Sequence, residues 1–306
     1  MRISPSILYD TCYRQYGIGA FNVFNAEQVH GVFRGAKAAG LPVLIQITPV
    51  ARNYMHTRML ESIISAAASL YPEVKYAIHL DHGTEAHCLD AIESGGYDSI
   101  MIDASHESFE ENIRITSAIV QKAHAKGILV EAELGVLAGV EDDLSVDEES
   151  ARYTHPDEAR EFVERTGCDS LAVAIGTSHG AYKFSGEASL RLDILERIAA
   201  SLPKKFPLVL HGASAVPEEL VERINQYGGK LKQDAKGVSP QDLKGAIARG
   251  VCKINIATDM RLLWCGITRE FFANEPDKFD PIISGATYMN ELEQFVKQKC
   301  EGLRVD

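Results

Sequence analysis

The chain has 306 residues, 45% of them hydrophobic, and a formal net charge of −12. That length and apolar content suit a soluble globule with a sizeable core, built as one large domain or two small ones. The acidic balance excludes a nucleic-acid or anionic-membrane surface, because no basic stripe is present to neutralise phosphates. The longest apolar stretches are strand-length, well short of a membrane span, and Met1–Ser6 lacks the apolar run of a signal peptide. Six cysteines (Cys12, Cys88, Cys168, Cys252, Cys265, Cys300) are scattered with no C-x-x-C pair, which predicts inert free thiols and a cytoplasmic home.

In chain order, apolar and β-branched runs predict strands at Gly19–Val23, Val43–Thr48, Tyr76–Asp81, Ser99–Ala104, Leu129–Leu134, Ser170–Gly176, Leu208–His211 and Cys252–Ala257. Helical spacing fills the intervals at Asn25–Ala39, Met59–Leu70, Glu85–Gly95, Phe109–Lys126, Pro156–Thr166, Leu190–Ala200, Pro217–Gly228 and Pro240–Arg249. Gly40, Gly95, Gly127, Gly167 and Gly250 stand where left-handed helix caps are expected. Near-continuous apolar strands predict a parallel sheet buried on both faces. An open doubly wound sheet is the alternative, but eight β-α units favour closure into a (β/α)8 TIM barrel. Met260–Asn274 and Gly285–Gly302 predict extra C-terminal helices, joined through Pro276–Pro281. The expected organisation is one barrel domain over residues 1–306, with 260–306 as a helical extension packed on it.

Asn22, Asp81, Asp103, Glu133, His179, His211 and Asn255 all fall at C-terminal strand ends, the rim on which barrel active sites are built. His82, His179 and His211 each follow directly on an apolar run. Imidazoles held at one end of several strands can build a three-coordinate zinc site with one position open. Asp81, next to His82, is placed to move protons. A lone histidine here would more often be a core residue beside a satisfied aspartate; three at one rim with an adjacent acid outweigh that. His179 and His211 each precede a glycine with serine nearby, a composition that lets backbone N–H groups approach an anion. Asn255–Asp259 supplies a third small polar loop. Each could be a plain βα turn, but neighbouring loops after the last three strands form a common barrel phosphate site.

Six ordered strings carry a more specific likeness: HLDHG at His79–Gly83, MIDASH at Met101–His106, VEAELG at Val130–Gly135, AIGTSHG at Ala174–Gly180, LHGAS at Leu210–Ser214 and KINIATD at Lys253–Asp259. Together they resemble the class II, metal-dependent ketose-bisphosphate aldolases, from Gly19 to at least Arg261, and most closely the fructose- and tagatose-bisphosphate branch. The resemblance implies reversible cleavage of fructose 1,6-bisphosphate to dihydroxyacetone phosphate and glyceraldehyde 3-phosphate. It implies Zn2+ on His82, His179 and His211, with Asp81 exchanging the C4 hydroxyl proton. Glu141, in an acidic glycine-containing loop that otherwise reads as a solvated charge run, would be the acid/base at C3. Asp103 and Glu133 would orient the metal ligands or form an alternative metal position. Gly180, Lys183, Gly212, Ser214, Asn255 and Thr258 would bind the C1 phosphate and hydroxyls, with room for a monovalent cation, Na+ or K+. Asn22 and Thr48 would face the other end of the substrate. A homodimer or homotetramer is expected from the family.

The pattern departs from the family at two places. Ala257 stands where fructose-type enzymes usually carry Asp, a lean toward tagatose 1,6-bisphosphate that Asp259 does not share. Ala286–Asn290 has no arginine in the place from which the family commonly lends one to a neighbour's distal phosphate. Either Arg52 or Arg261 serves instead, or the substrate is a ketose 1-phosphate lacking that group. A zinc hydrolase on the same fold is disfavoured by the Gly/Ser loops beside Lys183, which suit a phosphate. A non-catalytic barrel would be expected to have lost Asp81 or one of the histidines.

Overall fold

The structure, a computed structural model, describes residues 1–141, 144–146, 152–179, 190–232 and 237–305. Its strands are β1 (Ile18–Asn22), β2 (Val43–Ile47), β3 (Tyr76–Gly83), β4 (Ser99–Ile102), β5 (Leu129–Leu134), β6 (Ala138–Glu141), β7 (Leu144–Val146), β8 (Ser170–Val173), β9 (Ser178–His179), β10 (Leu208–Leu210) and β11 (Val251–Ile256). The eight runs expected from apolar patterning close into a barrel in the order β1, β11, β10, β8, β5, β4, β3, β2. All neighbours in the ring run parallel. Both faces of these strands are buried, which is why they read as continuous apolar runs rather than as alternations.

Two apolar bodies hold the barrel. The larger lies between strands and helices, with Val43, Ile45 and Ile47 of β2 packed with Val29, Val32 and Phe33 of the helix Ala26–Ala39. The smaller stops one end of the barrel with Ile18, Ala20, Leu44 and Ala77, covered by Leu8, Tyr9 and Cys12 of a helix over Pro5–Cys12. That helix was not anticipated from sequence, nor was Pro49–Met55, where Thr48 accepts the Ala51 N–H and starts the turn. Both are too short to show a helical period.

The expected intervening helices form with shifts of a few residues. Ala26–Ala39 is capped by Asn25, whose side chain accepts the Gln28 N–H, and is stopped by Gly40 in the left-handed region at φ 64°. The C-terminal helices run Thr258–Asn274 and Pro281–Gly302, the second starting four residues before the expected Gly285, where Asp280 caps it and Pro281 opens it. It packs against Ala26–Ala39 through two glycines. A Cβ at Gly31 would stand 2.6 Å from Leu292, and one at Gly35 would stand 2.5 Å from Val296, so only glycine permits this approach.

The segment expected as an acidic loop contains a hairpin. β6 pairs antiparallel with β7 and parallel with β9, with Gly139 opposite His179. The backbone therefore places Glu141 two residues beyond the partner of His179.

Candidate active site

Asp81 and His82 occupy an irregularity in β3. Leu80 pairs with Ile100 of β4 and Gly83 pairs with Ile102, so β3 carries one more residue than its partner across this stretch. His82 takes up the difference with φ 49°, a left-handed conformation that histidine tolerates better than most side chains but that still costs about 1–3 kcal/mol. The strand therefore does not end at Asp81, as the apolar run suggested; it continues to Gly83. The bulge puts consecutive side chains at one site, which regular alternation would send to opposite faces.

Asp81 is fully buried and held by two amides: Asn22 Nδ2 donates to Oδ2 at 2.7 Å and Asn255 Nδ2 to Oδ1 at 3.2 Å. Behind them, Gln46 Nε2 donates to Asn22 Oδ1 at 3.0 Å. Asn22 and Asn255 thus both act on Asp81, and Asn255 also lies against the His211 ring, 3.2 Å from Nδ1 and 3.3 Å from Nε2. Its Oδ1 has no hydrogen-bond partner among the described residues.

His82 and His211 face each other edge to face, with Nε2 of the first 2.9 Å from Nδ1 of the second. Their remaining nitrogens are committed to carboxylates. His82 Nδ1 donates to Asp103 Oδ2 at 2.9 Å, and His211 Nε2 donates to Glu131 Oε1 at 2.8 Å. Burial alone would raise the Asp103 carboxyl, but His82 and Ser105 outweigh it and hold it well below the usual carboxylate range. Burial lowers the His211 imidazole below the ordinary histidine value, against the opposing pull of Glu131. With their outer nitrogens so committed, the rings turn Nε2 of His82 and Nδ1 of His211 toward one another, an arrangement that a cation between them makes favourable. Nitrogen and oxygen donors from Asp81, His82 and His211 lie within 4.8 Å of one another, as do those of His82, Asp103 and Glu133. This donor set fits a borderline-soft divalent ion such as zinc, with carboxylates behind the imidazoles in the usual arrangement.

Two loops approach from the other side. Gly212 sits at φ 59°, and a Cβ there would stand 2.6 Å from the Ser178 carbonyl oxygen, so glycine is needed to bring the His211 loop against the strand that carries His179. Asp259, buried in the first turn of Thr258–Asn274, accepts the N–H groups of Ala215 at 3.0 Å and Val216 at 2.8 Å and pairs with Lys299 at 2.9 Å. It fixes the loop that carries Ser214, with Val216 held at φ 47°. From sequence, Asp259 entered only through the comparison of fructose- and tagatose-type patterns; its role in holding this loop was not anticipated. Thr258 opens the same helix. Glu133 is buried near His82 and Asp103. Thr48 caps the short helix Pro49–Met55.

Gly180 and Lys183 lie outside the described residues, and the side chains of Glu141 and His179 lie outside the described atoms. Arg52 is engaged elsewhere. Its buried guanidinium donates to Thr57 Oγ1 at 3.1 Å and to the His87 carbonyl at 3.4 Å, pairs with Asp90, and lies over the Tyr97 ring.

Comparison with known proteins gives the chain a family. The family described as "Fructose-bisphosphate aldolase class-II" matches residues 5–305. A fructose-bisphosphate aldolase of Giardia intestinalis is 45% identical, covering 87% of this chain and 81% of its own. One from Thermus caldophilus is 44% identical, covering 94% and 92%. Among solved structures, the YdjI aldolase of Escherichia coli K12 superposes with a TM-score of 0.78 at 29% identity, covering 99% of this chain and 97% of that one. A metal-fitting group of His82, His211 and Asp81 stands at the C-terminal rim of a parallel barrel whose sequence the family matches over residues 5–305, and the chain belongs to the class-II fructose-bisphosphate aldolase family.

Proposed function

We propose that the protein cleaves fructose 1,6-bisphosphate reversibly to dihydroxyacetone phosphate and glyceraldehyde 3-phosphate, using zinc held by His82, His179 and His211. The observation that carries this reading is the facing pair of imidazoles beside a buried carboxylate, with the outer nitrogens of both rings already bound to Asp103 and Glu131. When bound, a divalent ion supplies Lewis-acid polarisation of the ketose carbonyl.

Asp81 takes the C4 hydroxyl proton as the C3–C4 bond breaks, so that the C4 oxygen becomes the aldehyde of one triose and the bonding pair stays with C3 of the other. In the reverse direction Asp81 returns that proton. Asn22 and Asn255 hold its two oxygens, which fixes the direction in which the proton moves. Glu141 exchanges the proton at C3, supported by the backbone pairing of its hairpin with the His179 strand. The loop held by Asp259, with Gly212 and Ser214, and the segment of Gly180 and Lys183 receive the C1 phosphate. Asn255 and Thr258 line the same end, with room for a monovalent cation, while Thr48 stands toward the other. Asp103 and Glu133 orient the ligands.

Of the two arginines weighed for the distal phosphate, Arg52 is committed to Thr57, the His87 carbonyl and Asp90. That commitment, with Ala257, favours as a second reading an aldolase for tagatose 1,6-bisphosphate or for a ketose 1-phosphate. A homodimer or homotetramer in the cytoplasm is the proposed working form. Six free cysteines support the compartment, and among the described residues no helix is long and apolar enough to cross a membrane.

The test is triose-phosphate release from fructose 1,6-bisphosphate, tagatose 1,6-bisphosphate and fructose 1-phosphate side by side, with zinc and after chelation. Zinc-dependent preference for fructose 1,6-bisphosphate is expected. Preference for either other sugar selects the second reading, and cleavage that survives removal of all metal contradicts both.

A further inference from the structure

Below the site, the barrel interior holds a charge pair that touches neither of the facing nitrogens of His82 and His211. Lys253 enters from β11 and Glu131 from β5, and both are buried to within about a hundredth of their surface. Lys253 Nζ lies 2.8 Å from each Glu131 oxygen and 3.3 Å from His79 Nε2. His79 Nδ1 in turn lies 2.7 Å from Ser99 Oγ. Desolvating two such charges is expensive, and an apolar pair of the same volume would commonly be as stable or more so. Fold stability alone gives little reason for the pair.

What Glu131 does besides meet Lys253 gives one. Its Oε1 accepts the His211 Nε2 proton at 2.8 Å. Lys253 has only protons to give and faces both carboxylate oxygens, so Glu131 has only acceptance to offer the ring. The Nε2 proton of His211 is thereby directed downward, and Nδ1 is presented upward, 2.9 Å from His82 Nε2. We propose that Lys253, acting through Glu131, is a positioning residue that fixes which nitrogen of His211 faces the metal centre and holds the ring there. The chain of contact is Lys253, Glu131, His211, with His79 taking the remaining direction around the ammonium group. The proposal rests on the metal-aldolase reading for what Nδ1 then binds.

The experiment is a zinc titration against a competing chelator, with cobalt substitution as a spectroscopic readout. It compares the parent protein with the double variant Glu131→Gln/Lys253→Met. The double variant removes both charges at nearly constant volume, so thermal stability should be kept. Zinc affinity should fall about 10- to 100-fold, the usual effect of losing a carboxylate behind a metal-bound histidine, and the cobalt absorption should change. A double variant that is stable, binds zinc as tightly as the parent and gives the same cobalt spectrum would overturn the proposal.

Should the double variant fail to fold, long-range 15N–1H spectra of unmodified, 15N-histidine-labelled protein decide. His211 signals would be assigned by their loss in His211→Gln. A proton kept on Nε2 and a zinc-induced shift at Nδ1 support the proposal, and zinc on Nε2 overturns it. Unmodified protein that takes up no zinc at all would instead contradict the metal-aldolase reading, a result separate from either of these.

Discussion

His82 Nε2 and His211 Nδ1 face each other at 2.9 Å although they come from strands four places apart, on opposite sides of the eight-stranded ring. The approach is produced by unlike local devices. On β3 it is the extra residue that turns His82 to φ 49°; below β10 it is the Glu131 carboxylate that holds the other edge of the ring. Asp81 is placed by the same irregularity in β3, which ties the position of the proposed proton carrier to that of the proposed metal ligand.

Acid stability should reflect the barrel interior. Burial, then Lys253, push the His79 imidazole from its ordinary 6.5 down to about 3, with Glu131 and Asp81 pulling the other way and His211 adding to the lowering. The unfolded chain takes up this proton near pH 6.5 and the folded one does not, so the contribution is full above pH 6.5 and is lost as pH falls toward 3. The slope for one proton is up to ~1.4 kcal/mol per pH unit. His211, also lowered, adds a slope of the same sign. Urea melts between pH 7 and pH 4.5 should show stability falling with pH, and His79→Gln should flatten the fall. An unchanged slope in that variant would show that His79 is not the group responsible.

Arg52 should behave as a structural residue. Arg52→Met removes hydrogen bonds to Thr57 and the His87 carbonyl and should lower stability by roughly 1–3 kcal/mol. The KM for the bisphosphate should stay within about twofold, since the guanidinium is turned away to Asp90. A tenfold rise in KM without loss of stability would return Arg52 to the distal phosphate.

Asp259 should affect substrate binding more than metal binding. Asp259→Ala frees the N–H groups of Ala215 and Val216 and leaves Lys299 without its buried partner. Loss of this support should raise KM about tenfold, ~1.4 kcal/mol, with zinc content unchanged. Steady-state kinetics beside metal analysis check it; an unaltered KM would show that the loop keeps its shape by other means.

The barrel was legible because both faces of its strands are buried, so eight apolar runs and the helices between them mark it directly. The position of the rim residues was legible for the same reason: a polar group at the end of an apolar strand run falls at the C-terminal rim of the barrel. Glu131 and Lys253 were not singled out, though each sits two residues before an assigned position, Glu133 and Asn255, and alternation puts both on the inward face. Which inward charge meets which depends on spacing around the ring, and no local pattern records that. The bulge at Asp81-His82 was hidden likewise, because an extra residue on one strand is defined only against its neighbour. Arg52 looked available for phosphate because its sequence neighbours do not reveal Asp90 or Tyr97, which come from a later unit.

The most direct test of the account is the cleavage rate and zinc content of Asp81→Asn measured together. The substitution keeps the shape that Asn22 and Asn255 grip but removes the proton acceptor. Zinc should be retained as in the parent protein and cleavage should slow by about 10²–10⁴-fold, the usual range for losing a general base. Zinc retained with cleavage undiminished would contradict it.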